Sequence, residues 1–183
     1  MIRPAEPADI PHLIRIIKDA FASYELVMDP EYEVPDFLSL RQTYDFRRKH
    51  LLTALWDGEI AGCGALTIEG KTAWLSRIYV HARFRKKGIG TNIIEQLIGI
   101  ARQYRSDDSR FSGGPKDRSA VKSMPDSVQD PSRPSSTVEL WSDTRFTDAH
   151  RLYLRLGFRQ SGRERVLPND PNYTVEYHFI RNL

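Results

Sequence analysis

Residues 74–90 read WLSRIYVHARFRKKGIG. Leu75, Ile78, Tyr79 and Val80 are side chains that a pleated strand accommodates well. After Gly90, the apolar residues Ile93, Leu97, Ile100, Ala101 and Tyr104 recur at i, i+4, i+7, i+8 and i+11, which predicts one face of a helix from Gly88 to about Tyr104. Between strand and helix lies Arg85-Lys86-Lys87-Gly88-Ile89-Gly90. A strand, a glycine-containing loop and a helix start offer backbone N–H groups and a positive dipole end to a phosphate. Gly88 and Gly90 let the backbone turn tightly and come close to an anion, and Arg85, Lys86 and Lys87 add charge. The loop lacks the Gly-Lys-Ser/Thr ending of a Walker loop and the third glycine of a dinucleotide fingerprint. It predicts a diphosphate held at a helix start; the competing reading is a basic, solvated turn.

Outward from this stretch, the chain alternates helices and strands. Ile2 and Arg3 start a short strand. Asp9 is a helix N-cap candidate, and Ile10, Leu13, Ile14, Ile17, Ala20 and Phe21 mark one helical face. Residues 28–35 (MDPEYEVP) read as an acidic, proline-bounded loop, and a second, weaker helix is expected over Asp36 to Lys49. Leu51 to Trp56, Glu59 to Ile68 and Thr72 to Val80 read as three antiparallel strands joined by the turns Asp57-Gly58 and Glu69-Gly70-Lys71. Further strands are expected at Thr137–Trp141, Phe158–Leu167 and Tyr173–Ile180, with a short helix at Ala149–Leu156 closed by Gly157. The fold class is therefore α+β, a mixed sheet with helices.

Composition narrows the function. At 183 residues the chain suits one domain, residues 1–183, with an insertion at 106–136. That insertion holds nine Ser, four Pro and two Gly among its 31 residues, so it is expected to be a flexible loop. The net charge of +3 sets 27 basic against 24 acidic residues and does not call for nucleic acid. One cysteine, Cys63, suits a reducing cytoplasm, and no apolar run or signal-like start points to a membrane or to export. The five histidines show no paired ligand spacing, so no catalytic metal is expected.

Two stretches carry a family resemblance. Residues 78–90, IYVHARFRKKGIG, are similar to the acetyl-CoA motif of the GNAT N-acetyltransferase superfamily, and residues 149–158, AHRLYLRLGF, resemble its Ala-x-x-Leu-Tyr-x-x-x-Gly-Phe helix. The opening IRPAEPADIPHL also looks like the family's first strand and helix. Ala82, Lys86 and Phe146 depart from the pattern, where the family usually has Pro, often Gly, and in many members Asn.

The resemblance implies a mostly antiparallel sheet of six to seven strands, flanked by about four helices and splayed between the fourth and fifth strands. Acetyl-CoA would lie in that V. Its pantetheine arm would pair with Ile78 and Val80, and its diphosphate with the loop Arg85, Lys86, Lys87, Gly88, Ile89, Gly90 and Thr91. The acetyl group would pass directly to an amine. The backbone N–H of Val80 would stabilise the oxyanion, and Tyr153 would protonate the leaving thiolate, against the simpler reading of a core tyrosine. The general base stays open among Glu69, Glu139, Asp143, Asp148, Glu176 and a water chain; His81 reads as a loop histidine. The acceptor, a small-molecule or peptide amine, would be set by residues 21–44 and 166–177; there Asp29, Glu31, Glu33 and Asp36 read first as a solvated acidic loop and would also suit a cationic amine. The resemblance leaves room for a homodimer. Two other classes compete: a catalytically weak acyl-CoA-binding module and a binder of another diphosphate.

Overall fold

The computed structural model describes residues 1–111 and 137–183, with 105–111 as backbone. Seven strands form one sheet: β1 (Ile2–Pro4), β2 (Lys49–Trp56), β3 (Glu59–Glu69), β4 (Thr72–Val80), β5 (Thr137–Asp143), β6 (Arg159–Val166) and β7 (Val175–Asn182). Their order is β1-β2-β3-β4-β5-β7-β6, and every neighbouring pair is antiparallel except β4 and β5. The parallel pair follows from the crossover helix α5 (Ile89–Phe111), since two parallel strands cannot be joined by a tight turn. Two other regular helices complete the fold, α1 (Ile10–Ala22) and α6 (Thr147–Arg155). The mixed fold read from the sequence and the splayed sheet that the resemblance implies are both present.

Each face of the sheet carries its own core. On one face α5 inserts Ile93, Ile94, Leu97, Ile98 and Ala101, all at 0 % exposure, against Leu66, Leu75, Val138 and Leu140, and α6 adds Tyr153. Full burial contributes about 1.5–3 kcal/mol for each such large aliphatic side chain. On the other face α1 buries Leu13, Ile16, Ile17 and Phe21 against Leu51, Cys63 and Ala65.

Three expectations are corrected. No continuous helix spans Asp36 to Lys49. The chain from Pro30 instead makes three single turns, α2 (Pro30–Glu33), α3 (Pro35–Leu38) and α4 (Leu40–Thr43), of which only α3 and α4 reach into that stretch, before β2 begins at Lys49. Pro30 and Pro35 each open a turn, and Pro35 has no N–H to carry α2 onward. Residues 28–35 are accordingly not all loop; Asp29 caps α2 by accepting the Glu31 N–H at 3.0 Å. Finally, α5 runs on to Phe111, so residues 106–111 of the expected loop are helical. The rest of that expected insertion lies outside the described residues.

Two irregularities open the sheet. The β4–β5 ladder pairs only Thr72–Leu75 with Thr137–Leu140, and beyond Leu75 the strands diverge. The second is a bulge in β4, where Gly64 faces both Arg77 and Ile78, because Cys63 pairs with Tyr79 and Ala65 with Ser76. Arg77 takes a left-handed φ of 57°, uncommon for a side chain with a Cβ. Its guanidinium donates to Asp36 at 2.8 Å, its carbonyl accepts from Cys63 Sγ at 3.2 Å, and the Tyr44 hydroxyl donates to the same Asp36. The bulge shifts the side-chain alternation. Ala73 and Leu75 belong to the α5 core, and so do Ile78 and Val80, while Tyr79 packs into the α1 core.

Candidate active site

Where β4 and β5 part, a cleft of about 650 Å³ opens between the end of β4, the start of α5 and one side of α6. That size falls in the usual range for small-ligand pockets, roughly 300–1,000 Å³. Nine of the ten expected site residues line it: Ile78, Val80, Arg85, Lys86, Gly88, Ile89, Gly90, Thr91 and Tyr153. The tenth, Lys87, points elsewhere. Its Nζ sits 4.9 Å from the Trp56 ring and 5.4 Å from Phe84, so its charge is spent on cation–π contacts that tie the loop to β2.

The wall of β4 presents backbone. His81 N–H donates to Ala61 O at 2.8 Å, on the β3 side. Alternation along the strand turns the polar groups of Val80, one residue earlier, to the opposite edge, toward the cleft. The Val80 carbonyl accepts from Arg85 Nε at 3.2 Å on that edge.

The loop delivers a helix start. The first intrahelical bond runs from Asn92 N–H to Gly88 O at 3.0 Å, so the N–H groups of Ile89, Gly90 and Thr91 have no acceptor within the helix. Lys86 and Gly88 both adopt left-handed φ, 61° and 80°, and a Cβ on Gly88 would meet open space. Gly90 has a different reason to be glycine: a Cβ there would lie 3.0 Å from Leu152 Cδ2, so its smallness lets α5 close on α6. Arg151 and Arg155 also line the cleft, with Arg151 paired to Asp148 at 3.0 Å. Neither was singled out from the sequence; their i, i+4 spacing on α6 is the only local signal.

Tyr153 sits on the buried face of α6, 5 % exposed, edge-on to Phe158 and Phe179. Burial pushes its phenol pKa up, and hydrogen bonding with Ser142 offsets part of that, so it holds its proton at neutral pH. Phe146, in place of the family's Asn, forms an aromatic wall with Phe21 at 5.8 Å and Tyr24 at 4.9 Å. Tyr79 adjoins that wall, 6.3 Å from Phe21.

Most base candidates from the sequence are engaged in pairs. Glu139 accepts from His178 at 2.8 Å, Asp143 from Arg145 at 2.7 Å and Glu176 from Arg165 at 2.6 Å, while Glu69 ends β3 exposed. His81 caps the turn after β4 by accepting the Arg83 N–H at 3.1 Å. A carboxylate not named as a base, Glu33, is placed differently. It is partly buried on α2, and burial followed by the charge of Asp170 pushes its pKa up to about 7, against a smaller pull from Arg77.

The comparisons agree with this geometry. Residues 14–111 match the acetyltransferase (GNAT) family. Among solved structures, an acetyltransferase from Streptococcus agalactiae superposes with a TM-score of 0.71 at 18 % identity, covering 100 % of this chain and 98 % of its own. A GNAT-family acetyltransferase from Staphylococcus aureus gives 0.69 at 16 %, covering 100 % and 98 %. A putative acetyltransferase from Salmonella typhimurium, solved with its cofactor acetyl-CoA, gives 0.64 at 17 %, covering 100 % and 93 %. No curated protein matches.

Proposed function

The chain belongs to the acetyltransferase (GNAT) family, whose acetyl donor is acetyl-CoA, and from that premise we propose that it is an N-acetyltransferase moving the acetyl group directly to an amine. The observation that carries this reading is the cleft itself: the Val80 backbone on one wall, the open N-terminus of α5 at one end and the Tyr153 phenol on the facing helix.

The residues present fit acetyl-CoA. Three free helix N–H groups, Ile89, Gly90 and Thr91, suit a diphosphate, and Arg85 and Lys86 add charge beside them. Edge-facing backbone at Val80, with Ile78 lining the same wall, suits the amides of a pantetheine arm. Acetyl-CoA supplies an activated acetyl thioester. The chain supplies position and proton control. Fixed by the sheet, the Val80 N–H needs no reorganisation to receive negative charge developing on an oxygen. Tyr153, protonated at neutral pH, has a proton to give to a departing thiolate. Phe146, Tyr24 and Phe21 exclude water from the α1 side, where the acceptor would enter.

Calorimetric titration of the protein with acetyl-CoA, CoA, ATP and NAD tests the reading. The expected result is micromolar binding of acetyl-CoA and CoA and none of ATP or NAD. Equal binding of ATP would identify a general diphosphate site, and no binding of either CoA species would overturn the transferase reading.

A further inference from the structure

Val80 and Tyr153 mark where the acetyl group would sit, and on the α1 side the space beside them is bounded by rings. Three partly exposed or cleft-facing aromatic side chains line it there: Tyr24 just past the end of α1, Tyr79 on β4 and Phe146 at the N-cap of α6. Tyr79 directly precedes Val80, yet it packs with the α1 core while Val80 packs with the α5 core. Its ring therefore faces the side of the sheet from which an acceptor would approach, α5 and α6 occupying the other.

Phe21 holds this wall together. It is 6 % exposed and meets Phe146 at 5.8 Å and Tyr79 at 6.3 Å, while Phe146 meets Tyr24 at 4.9 Å. The three pairs are tilted by 69°, 43° and 50°, so none is stacked face to face. Tilted rings present both edges and faces, and a further aromatic ring completes the pattern edge-to-face or offset. Ala20, which lines the cleft one turn before Tyr24, contributes only a methyl group.

Charge lies elsewhere in the cleft. Its basic side chains, Arg85, Lys86, Arg151 and Arg155, come from the loop before α5 and from α6. Among the described residues one carboxylate lines it, Asp148, and Arg151 holds that at 3.0 Å. The acids that the sequence offered to a cation are not on its walls: Asp29 caps α2, and Asp36 holds Arg77 and Tyr44. Aromatic rings attract cations too. Here, however, a body with further positive charge would share the cleft with four cations and find no free carboxylate, whereas an apolar ring would exchange water for ring contacts.

We propose that Tyr24, Tyr79 and Phe146 form the subsite for the body of the acceptor, and that the acceptor is an amine joined by a short link to an aromatic ring. The assignment rests on the transferase reading above and adds the substrate class to it. The link is short because Tyr79 and Val80 are consecutive residues, so a ring held against Tyr79 stays close to the reacting carbonyl. Phe146 and Tyr24 thereby set specificity and take no part in the proton transfers.

Initial rates of CoA release with phenethylamine, propylamine and spermidine test this, beside calorimetric titration with acetyl-CoA. For the wild type, kcat/KM for phenethylamine is expected to exceed that for spermidine, and that for propylamine, which carries the amine without the ring, by about 10²-fold. Phe146→Ala and Tyr24→Ala are each expected to bring the phenethylamine-to-propylamine ratio down to about tenfold or less, with acetyl-CoA affinity within about threefold of the wild type. A variant that merely loses stability lowers both rates alike and leaves their ratio. If phenethylamine releases CoA no faster than the other two amines, or if both variants keep the wild-type ratio, the aromatic subsite is overturned and the transferase reading still stands on acetyl-CoA binding. If the wild type binds no acetyl-CoA, the transferase reading itself fails.

Discussion

A phenol that is buried and holds its proton is useful only at one moment of the reaction, when a thiolate departs. Tyr153→Phe removes that proton and little else, since the ring contacts with Phe158 and Phe179 remain. The expected outcome is a fall of about 10²-fold in kcat with acetyl-CoA affinity nearly unchanged, read by steady-state kinetics and calorimetry. A second residue sets stability rather than chemistry. Asp9 is 3 % exposed and accepts from both Arg3 nitrogens at 2.7 and 2.8 Å, from Glu6 N–H at 2.9 Å and from Thr53 Oγ1 at 2.9 Å. Burial pushes its pKa up, yet these bonds outweigh burial and hold it below the ordinary value. A lowered carboxylate pKa stabilises the fold above the unfolded value of about 3.9 and loses that contribution as pH falls through the folded value. Asp9→Asn should cost about 2–3 kcal/mol at pH 7 and flatten the acid limb of the denaturation profile. Tyr153 was legible because a helix motif surrounds it. Glu33 stands out in the sequence only as one of four acids in an acidic stretch, and its nearness to Asp170 does not show there, since only the tertiary fold brings α2 and the β6–β7 turn together and no periodicity spans such a separation.

At the scale of elements, the loop before α5 divides its basic residues by direction. Arg85 and Lys86 line the cleft, while Lys87 faces Trp56. Gly88→Glu should weaken acetyl-CoA binding by about 30-fold or more, since it places a negative charge at the helix N-terminus and a Cβ at a left-handed φ. Lys87→Ala should change that affinity by less than about threefold while lowering stability by roughly 0.5–1 kcal/mol, checked by calorimetry and thermal melting. Sequence periodicity announced β2 to β4 and α5 because each spans enough residues to repeat. The turns α2 to α4 have four residues apiece, too few for any period to register. Lys87 read like its neighbours because a row of cations does not reveal which way each one points.

Across the whole molecule, the sheet is two blades joined by four residue pairs between β4 and β5. A ligand lying between the blades binds the native state alone. Acetyl-CoA at about 100 times its Kd should add about 2.7 kcal/mol. For a chain of 183 residues that corresponds to a Tm rise of roughly 5–10 °C in a thermal scan. Absence of any shift would mean that acetyl-CoA does not bind the native state. Excision of residues 113–135, replaced by a short Gly/Ser link, is expected to leave one cooperative unfolding transition; its loss would make that stretch part of the domain.

The single extra residue in β4 has a consequence for how this chain tolerates genetic change. Because the bulge absorbs one residue that has no opposite number, loss of the Arg77 codon would act on the strand as a deleted blank acts on a message: the text reads on unchanged. Leu75 and Ile78 would stand two apart, and every side chain on either side would keep its address. Tyr79 would stay in the α1 core and Val80 in the α5 core, and what the chain would forfeit is the tie from Arg77 to Asp36.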